Sequence, residues 1–524
     1  MPPNLPPTFP PHLPADPPPD AAGPRALIVA FGCALAVVSL AYTTPHLEKY
    51  RPWSTGDPVP VLAALIPRSE ARVVEGDAGE LIVASPVEAP EGMATTPFVD
   101  LKGGAVTPAP SGSLPARSPG IPTPLVDADH RGMDHFYRAL TATKTGQTIA
   151  RAAHYGDSTI AADGISGTVR RRLQARFGNG GPGYLSAGMD PRWNSRPDVT
   201  VGRHGEWTTV SLLLGGGGGR YGYGGIVATA APESYVTFTP AVDASGARPR
   251  LSRFEVWSQR GPGFGSWWAS ADGKGVFSGS ALGEGTSDDY RVADVADGYG
   301  KVAVGATAGA VPFYGVVMET AGPGVVWDAL GVVGVGTKSF TQYNKKHLAA
   351  QITARKSDLI VVMLGGNELG YPVLSQGNGS GYAPYFTGAI RMIRAGAPSS
   401  SCLVVTPLDQ GTREGAKPGT KPALLTAVKT QRALAAAEGC AFWDAFAAMG
   451  GPGAIVRWSG TRPPLAWSDL LHLSAAGQDI IGQMLADAIE GGFDAWSVGG
   501  GAARAVPTPP GPPAVPAPVA PAAP

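Results

Sequence analysis

The spacing of apolar side chains changes character several times along this chain, and each change predicts a different kind of element. From Ala26 to Thr43 no charged residue interrupts a mostly apolar run, long enough for one membrane-spanning helix. Met133 to Leu140 carries the stripe of an amphipathic helix, and the run through Ala152 and Ala153 is a short apolar strand that stops at Gly156-Asp157-Ser158. From Gly164 to Phe177, Ile165, Val169, Leu173 and Phe177 recur four apart. That spacing predicts a helix with Arg170, Arg171, Gln174 and Arg176 turned to water.

Between Gly180 and about Val326 the rhythm becomes short and β-branched, as in Thr209 to Leu212, Tyr235 to Phe238, Phe254 to Trp257 and Val302 to Val304. Gly, Asp and Ser turns separate these runs, which predicts a β-sandwich or jelly-roll module. Beyond it, apolar strands at Val325 to Trp327, Gly331 to Val333, Leu359 to Leu364, Cys402 to Thr406 and Cys440 to Phe442 alternate with helical patterns. The helices are expected at Tyr385 to Ala395, Leu424 to Glu438 and Ala475 to Ile489. Strands apolar on both faces with helices between them predict an α/β fold built on a three-layer parallel sheet.

Composition adds limits. The 524 residues include 73 Gly and 52 Pro, so much of the length is linker or loop. The reading divides the chain into a Pro-rich tail (1–24), a membrane anchor (25–45), a linker (46–123), a first α/β segment (124–189), an inserted β-module (190–325), a second α/β segment (326–498) and an Ala/Pro tail (499–524). Formal net charge is zero, which gives no global field to attract nucleic acid. The apolar run is read as one N-terminal membrane helix, with a cleaved signal peptide the rival. Arg25 on one side against Lys49 and Arg51 on the other mildly opposes export, but a large domain can cross regardless, and the folded part is expected outside the cytoplasm. The three cysteines have no metal-ligand spacing, and no cofactor is expected. Cys402 and Cys440 open two strands that could be neighbours; they are either bridged or buried free thiols.

The chemistry is concentrated at strand ends. A serine at a strand-to-helix turn is held at the carboxyl edge of a sheet, but Ser158 is a nucleophile only if a base and oxyanion donors lie nearby. The strand Leu359 to Leu364 ends in Gly365-Gly366-Asn367-Glu368, which puts an amide donor at the same edge. In Ser468-Asp469-Leu470-Leu471-His472 a carboxylate stands three residues before a histidine, so Asp469 can hold the imidazole while its other nitrogen faces Ser158. Other candidates have plainer readings. His154 is a strand histidine, Asp444 is structural, and the lysine of Gly331 to Ser339 stands one place too late for a phosphate loop. His204 is either a loop residue or part of a sugar groove. Trp207, Tyr221, Tyr223, Trp267 and Trp268 form either core or a sugar-stacking face.

The ordered set Gly156-Asp157-Ser158, Gly365 to Glu368 and Asp469 to His472 resembles the SGNH, or GDSL, hydrolases. The extended run from His154 through Gly178 and on to Gly181-Pro182-Gly183-Tyr184 is most similar to their peptidoglycan O-acetylesterase branch, in which a β-rich carbohydrate-binding-like module sits between the Ser and Gly blocks. The resemblance implies a flavodoxin-like fold with Ser158, Asp469 and His472 catalytic, and the Ser158 and Gly334 N–H groups with the Asn367 amide forming the oxyanion hole. Two positions depart from the pattern. Val333 stands before Gly334 where the family has Asn, which leaves Gly336 as a second choice, and Glu368 replaces an Asp. The implied substrate is acetylated polysaccharide or peptidoglycan. The rivals are an O-acetyltransferase with the same triad, an inactive glycan-binding anchor protein, and a lipid esterase or thioesterase. Oligomeric state is not legible.

Overall fold

The computed structural model describes residues 120–501 except 128–130, 147, 189–193, 243–248, 371–373, 375–378 and 414–417. The expected tail, membrane anchor and nearly all of the linker, together with residues 502–524, lie outside the described residues. Among the described residues no helix is long and apolar enough to cross a membrane.

The first part of the chain gives α1 (Asp134–Lys144), β1 (Ile149–Gly156), the single turn α2 (Ser158–Ala161) and α3 (Gly164–Phe177). An all-strand part follows: β2 (Gly183–Ser186), β3 (Val199–His204), β4 (Trp207–Ser211), β5 (Ile226–Ala230), β6 (Tyr235–Pro240), β7 (Leu251–Arg260), β8 (Ser266–Ala271), β9 (Lys274–Ser280), β10 (Ser287–Tyr299), β11 (Val302–Ala308) and β12 (Val311–Thr320). Then β13 (Gly324–Gly331), α4 (Lys345–Arg355), β14 (Leu359–Met363), α5 (Ala383–Arg394) and β15 (Ser401–Val405) restore the α/β alternation. A two-stranded ribbon, β16 (Gly411–Thr412) and β17 (Gly419–Thr420), precedes α6 (Pro422–Ala437) and β18 (Ala441–Trp443). The chain closes with α7 (Ala445–Met449), α8 (Ala454–Ser459) and the long α9 (Ala475–Val498).

The α/β part is one parallel sheet in the order β13-β1-β14-β15-β18. Alternation along β14 shows why it must be covered twice. Leu359, Val361 and Met363 join a core with α1, α3 and α9, whereas Ile360 and Val362 join a second core with α4, α5 and α6. Three layers follow from that pattern. Cys402 and Cys440, at the starts of neighbouring strands, are joined by a disulfide.

The all-strand part forms two antiparallel sheets, β10-β7-β12-β5-β4 with β2 added on β12, and β3-β6-β11-β8-β9. Phe254, Val256, Val316 and Met318 of the first sheet meet Val236, Phe238, Trp267 and Val304 of the second in a shared core. The opposite face of the first sheet is covered at its centre. Trp257 and Val317 there pack into the α/β core beside α4 and β14. Because β2 pairs with β12, the β-module begins near Gly183 and not at the expected residue 190.

The two parts are joined by buried charge. Glu319 of β12 accepts from Arg151 of β1 and Arg355 of α4, each at 2.7 Å, and Arg355 also donates to Asp328 of β13 at 2.7 Å. Burial would raise the Glu319 carboxyl, but the two guanidiniums outweigh it and hold it at about 2.

Several expectations are corrected. Arg170 is not on a water-facing stripe; it is 2% exposed, pairing with Asp163 and, at 3.0 Å, with Asp198. Those partners come from the turn before α3 and from the entry to the β-module, so its burial is compensated. Tyr221, Tyr223 and Trp267 are buried in cores and present no sugar-stacking surface. Helix α4 had no counterpart in the hydrophobic pattern, and α9 runs nine residues past the expected Ile489, to Val498.

Removing one member of the buried ion network leaves the others unpaired. Arg355→Ala is expected to destabilise the fold by about 3–5 kcal/mol in urea unfolding; a change under about 1 kcal/mol would contradict the role given to the network. The Glu319 carboxyl is held below its unfolded value of 4.5, so its contribution is complete above that pH and is lost as pH falls toward about 2. The wild-type urea midpoint should therefore drop across that window, and more steeply than that of Glu319→Gln.

Candidate active site

Strand β1 lies between β13 and β14, and the three end together: Gly156 is paired with Gly331 on one side and with Met363 on the other. The chain then turns sharply into α2, capped by Asp157, whose Oδ1 accepts from the Thr159 N–H at 2.9 Å. Only glycine fits beneath this turn. A Cβ on Gly156 would lie 2.3 Å from Ile160 Cγ1, and one on Gly331 2.1 Å from the Ala161 nitrogen. Ser158 is thereby held, half-exposed, at the carboxyl edge of the sheet.

His472 arrives from the other end of the chain, on the loop before α9. That loop is tightly fixed: the Trp467 N–H donates to the His472 carbonyl at 2.9 Å, Leu470 has φ +57°, and the Gly411 N–H donates to the Leu470 carbonyl at 2.7 Å. Asp469 Oδ1 accepts from the Leu471 and His472 N–H groups at 2.9 and 3.1 Å, and its Oδ2 accepts from His472 Nδ1–H at 2.8 Å. Burial works to raise this carboxyl, but the imidazole and the two N–H groups more than offset it and hold it below the usual carboxylate range. With Nδ1 committed to donation, Nε2 presents its lone pair to Ser158 Oγ, 3.3 Å away. A serine–imidazole separation of this length is ordinary for a catalytic pair without substrate.

The remaining residues singled out from the sequence lie at the same edge. Asn367 Nδ2 donates to the Val335 carbonyl at 2.9 Å and makes a longer contact, 3.4 Å, with Asp157 Oδ2. One amide hydrogen is thus anchored to the loop after β13 and the other is loosely held beside Ser158. Gly334 has φ +79°, and its N–H has no hydrogen-bond partner among the described residues. Gly336 differs, because its N–H already donates to Ser339 Oγ at 3.2 Å. The free donor of the pair is Gly334.

Glu368 has a use that the motif did not disclose. Its Oε1 accepts from the Thr337 N–H and, at 2.7 Å, from Thr337 Oγ1–H, which ties the loop after β14 to the loop carrying Gly334. Burial, with Asp157 nearby, pushes this carboxyl up. The longer side chain needs room, and Gly336 supplies it: a Cβ there would lie 2.8 Å from Glu368 Cδ. Gln410, also unforeseen, donates to the Gly366 carbonyl at 3.2 Å. It sits in a loop without a motif, so no local signal marked it.

The plainer candidates fall elsewhere. His154 is fully buried, accepts from Trp327 Nε1–H at 3.3 Å, and is pushed by burial down to about 3, which keeps it neutral. Asp444 caps α7 through the Ala447 N–H at 2.9 Å and pairs with Arg432 at 2.8 Å. His204 stacks on Tyr235 in the β-module, ring centroids 4.3 Å apart.

Residues 295–480 match the GDSL-like lipase/acylhydrolase family. That span contains Gly334, Asn367, Asp469 and His472; Ser158 lies before the β-module and outside the match. Among solved structures the chain is similar to a peptidoglycan O-acetylesterase, with a TM-score of 0.59 and 20% identity over 71% of this chain and 99% of that one. That likeness is one of fold. An acetylxylan esterase from Geobacillus stearothermophilus is also matched, with a TM-score of 0.24 and 19% identity over 32% of this chain and 72% of that one, too distant to bear on the argument. No curated protein sequence matches the chain.

A serine facing an oriented imidazole is open to covalent capture. A fluorophosphonate probe is expected to label Ser158, and His472→Ala to slow labelling by at least about 10²-fold, the usual worth of a positioned base. Peptide mapping that finds the label elsewhere, or labelling at the same rate in His472→Ala, would contradict this.

Proposed function

We propose that this chain, an SGNH hydrolase of the GDSL-like acylhydrolase family and so a carboxylic ester hydrolase, removes O-acetyl groups from a cell-wall or envelope polysaccharide, with peptidoglycan the foremost substrate. The observation that carries the reading is the line from Asp469 through His472 to Ser158, with contacts of 2.8 and 3.3 Å.

In this mechanism Ser158 Oγ attacks the acetyl carbonyl as His472 Nε2 takes its proton. Asp469 keeps the imidazole in the required tautomer and offsets the charge of the imidazolium. Negative charge develops on the carbonyl oxygen, where the N–H groups of Ser158 and Gly334 and the loosely held hydrogen of Asn367 stabilise it. Collapse breaks the bond to the sugar oxygen, which takes the proton from His472, leaving acetyl-Ser158. Water, deprotonated by His472, then attacks the acyl-serine; the bond to Ser158 Oγ breaks, Oγ takes the proton back from His472, and acetate leaves.

The peptidoglycan assignment is supported by the likeness of fold and by the β-module placed between the Ser and Gly blocks. An extracytoplasmic location with a single N-terminal anchor is supported by the uncharged run Ala26 to Thr43 and by the Cys402–Cys440 disulfide, which suits an oxidising compartment.

Acetate release from O-acetylated peptidoglycan and from p-nitrophenyl acetate tests the reading. Ser158→Ala should lower both by at least about 10³-fold, and Asn367→Ala should lower kcat by about 10²–10³-fold. Retained turnover by purified Ser158→Ala would remove the mechanism. Transfer of acetyl to an added acceptor glycan in preference to water would replace the hydrolase by a transferase.

A further inference from the structure

The β-module exposes one sheet face whose composition follows from strand register. In the sheet β3-β6-β11-β8-β9, Val236, Phe238, Val304, Trp267 and Ala269 point into the module's core, so their neighbours along each strand point outward. Register then sets His204 beside Tyr235, Tyr235 beside Gly305, Gly305 beside Trp268, and Trp268 beside Ser278. The next outward row is Gly202, Thr237, Ala303, Ser270 and Gly275. Neither row contains an Asp, Glu, Lys or Arg.

The three rings form a single strip. His204 and Tyr235 are stacked, 4.3 Å apart at 17°, and Tyr235 and Trp268 are 6.0 Å apart at 45°. Gly305 keeps the gap between the last two open, since a Cβ there would lie 2.5 Å from Tyr235 Cβ. All three rings are half-exposed, and the other members of these two rows are small or carry a hydroxyl, while the exposed Glu206 and Glu233 flank the His204 end outside the rows. Three strand steps separate β3 from β8, roughly 14 Å at the usual spacing, enough for a short run of sugar rings.

The geometry points to this strip as a binding platform for a glycan chain, stacking the C–H faces of its pyranose rings on His204, Tyr235 and Trp268 while Thr237, Ser270 and Ser278 meet its hydroxyls. The inference deepens the polysaccharide reading above and rests on it for the class of ligand. Charge decides among occupants. A nucleic acid or an anionic membrane needs basic side chains, which these rows lack. A protein partner needs a contiguous apolar centre, and here single rings stand among Gly, Ala, Ser and Thr. A neutral chain with apolar ring faces and a hydroxyl rim matches both features.

The test uses the full chain carrying Ser158→Ala, so that nothing turns over, with chitohexaose and cellohexaose as probes and tryptophan fluorescence as the readout. At least one hexasaccharide should perturb the fluorescence saturably. Trp268→Ala and Tyr235→Ala, added singly, should each weaken binding at least tenfold, and Trp268→Phe should restore most of it. Ser270→Arg, which leaves the rings in place and spoils the flat neutral field, covers the case in which a ring variant fails to fold; it too should weaken binding at least tenfold. Failure of both sugars to bind, or unchanged affinity in a ring variant with an unaltered unfolding midpoint or in Ser270→Arg, would overturn the platform. Because the probes carry no O-acetyl group, failure here leaves acetyl release unaffected, and absence of acetyl release leaves this result standing.

Discussion

The site depends on a steric constraint: three neighbouring parallel strands end in register, and two of them end in glycine. Helix α2 can cross the ends of β1 and β13 only because positions 156 and 331 carry no Cβ; either methyl group would press into the helix. The close seating puts Ser158 over the sheet edge, in reach of the loop after β13 with Gly334 and the loop after β14 with Asn367. Hydrogen bonds then lock the two loops together, from Asn367 to the Val335 carbonyl and from Thr337 to Glu368. The donors are positioned before any substrate arrives, the condition under which they favour a transition state.

The β-module is packed onto the α/β part, not hung from it. The central strands of its inner sheet are buried on both faces, one in the module's own core and one in the α/β core, and Glu319 fastens it to Arg151 and Arg355 at the base of β1 and on α4. Two antiparallel sheets need only one buried interface to be stable; the second interface fixes the orientation of the module. The outer side of the second sheet is left to solvent, and the aromatic strip lies there. A joint of this kind would hold the proposed glycan platform in a set relation to Ser158.

Much of this was legible in the sequence, for identifiable reasons. Helix α3 occupies the very span, Gly164 to Phe177, that its four-residue apolar spacing indicated, and the strands near Leu359, Cys402 and Cys440 appeared as uninterrupted apolar runs because a parallel sheet buries both faces. The motif residues Ser158, Asn367, Asp469 and His472 come to one edge because each follows a strand end or precedes a helix that returns there. What escaped had its cause elsewhere in the chain. The buried side of α4 includes His347, Gln351 and Arg355, whose ring nitrogens, amide oxygen and guanidinium find partners in the β-module, Asp328 and Glu319, so the helix shows no apolar stripe. Arg170 was misplaced because its burial depends on Asp198 at the entry to the β-module, together with Asp163 at the cap of its own helix. Tyr221, Tyr223 and Trp267 could not be told from Trp268 until register assigned each a face. The exchange of Asp for Glu at 368 made sense only beside Gly336, which leaves space for the extra methylene.

The central claim is that Ser158 carries the acyl group between its two owners. The direct measurement is acid quench of the wild-type chain during turnover of an acetyl ester, followed by peptide mass mapping. The account predicts an acetyl group on Ser158 that forms and disappears at rates compatible with turnover. Steady-state acetate release with Ser158 never acetylated, or with the acetyl group on another side chain, would contradict it.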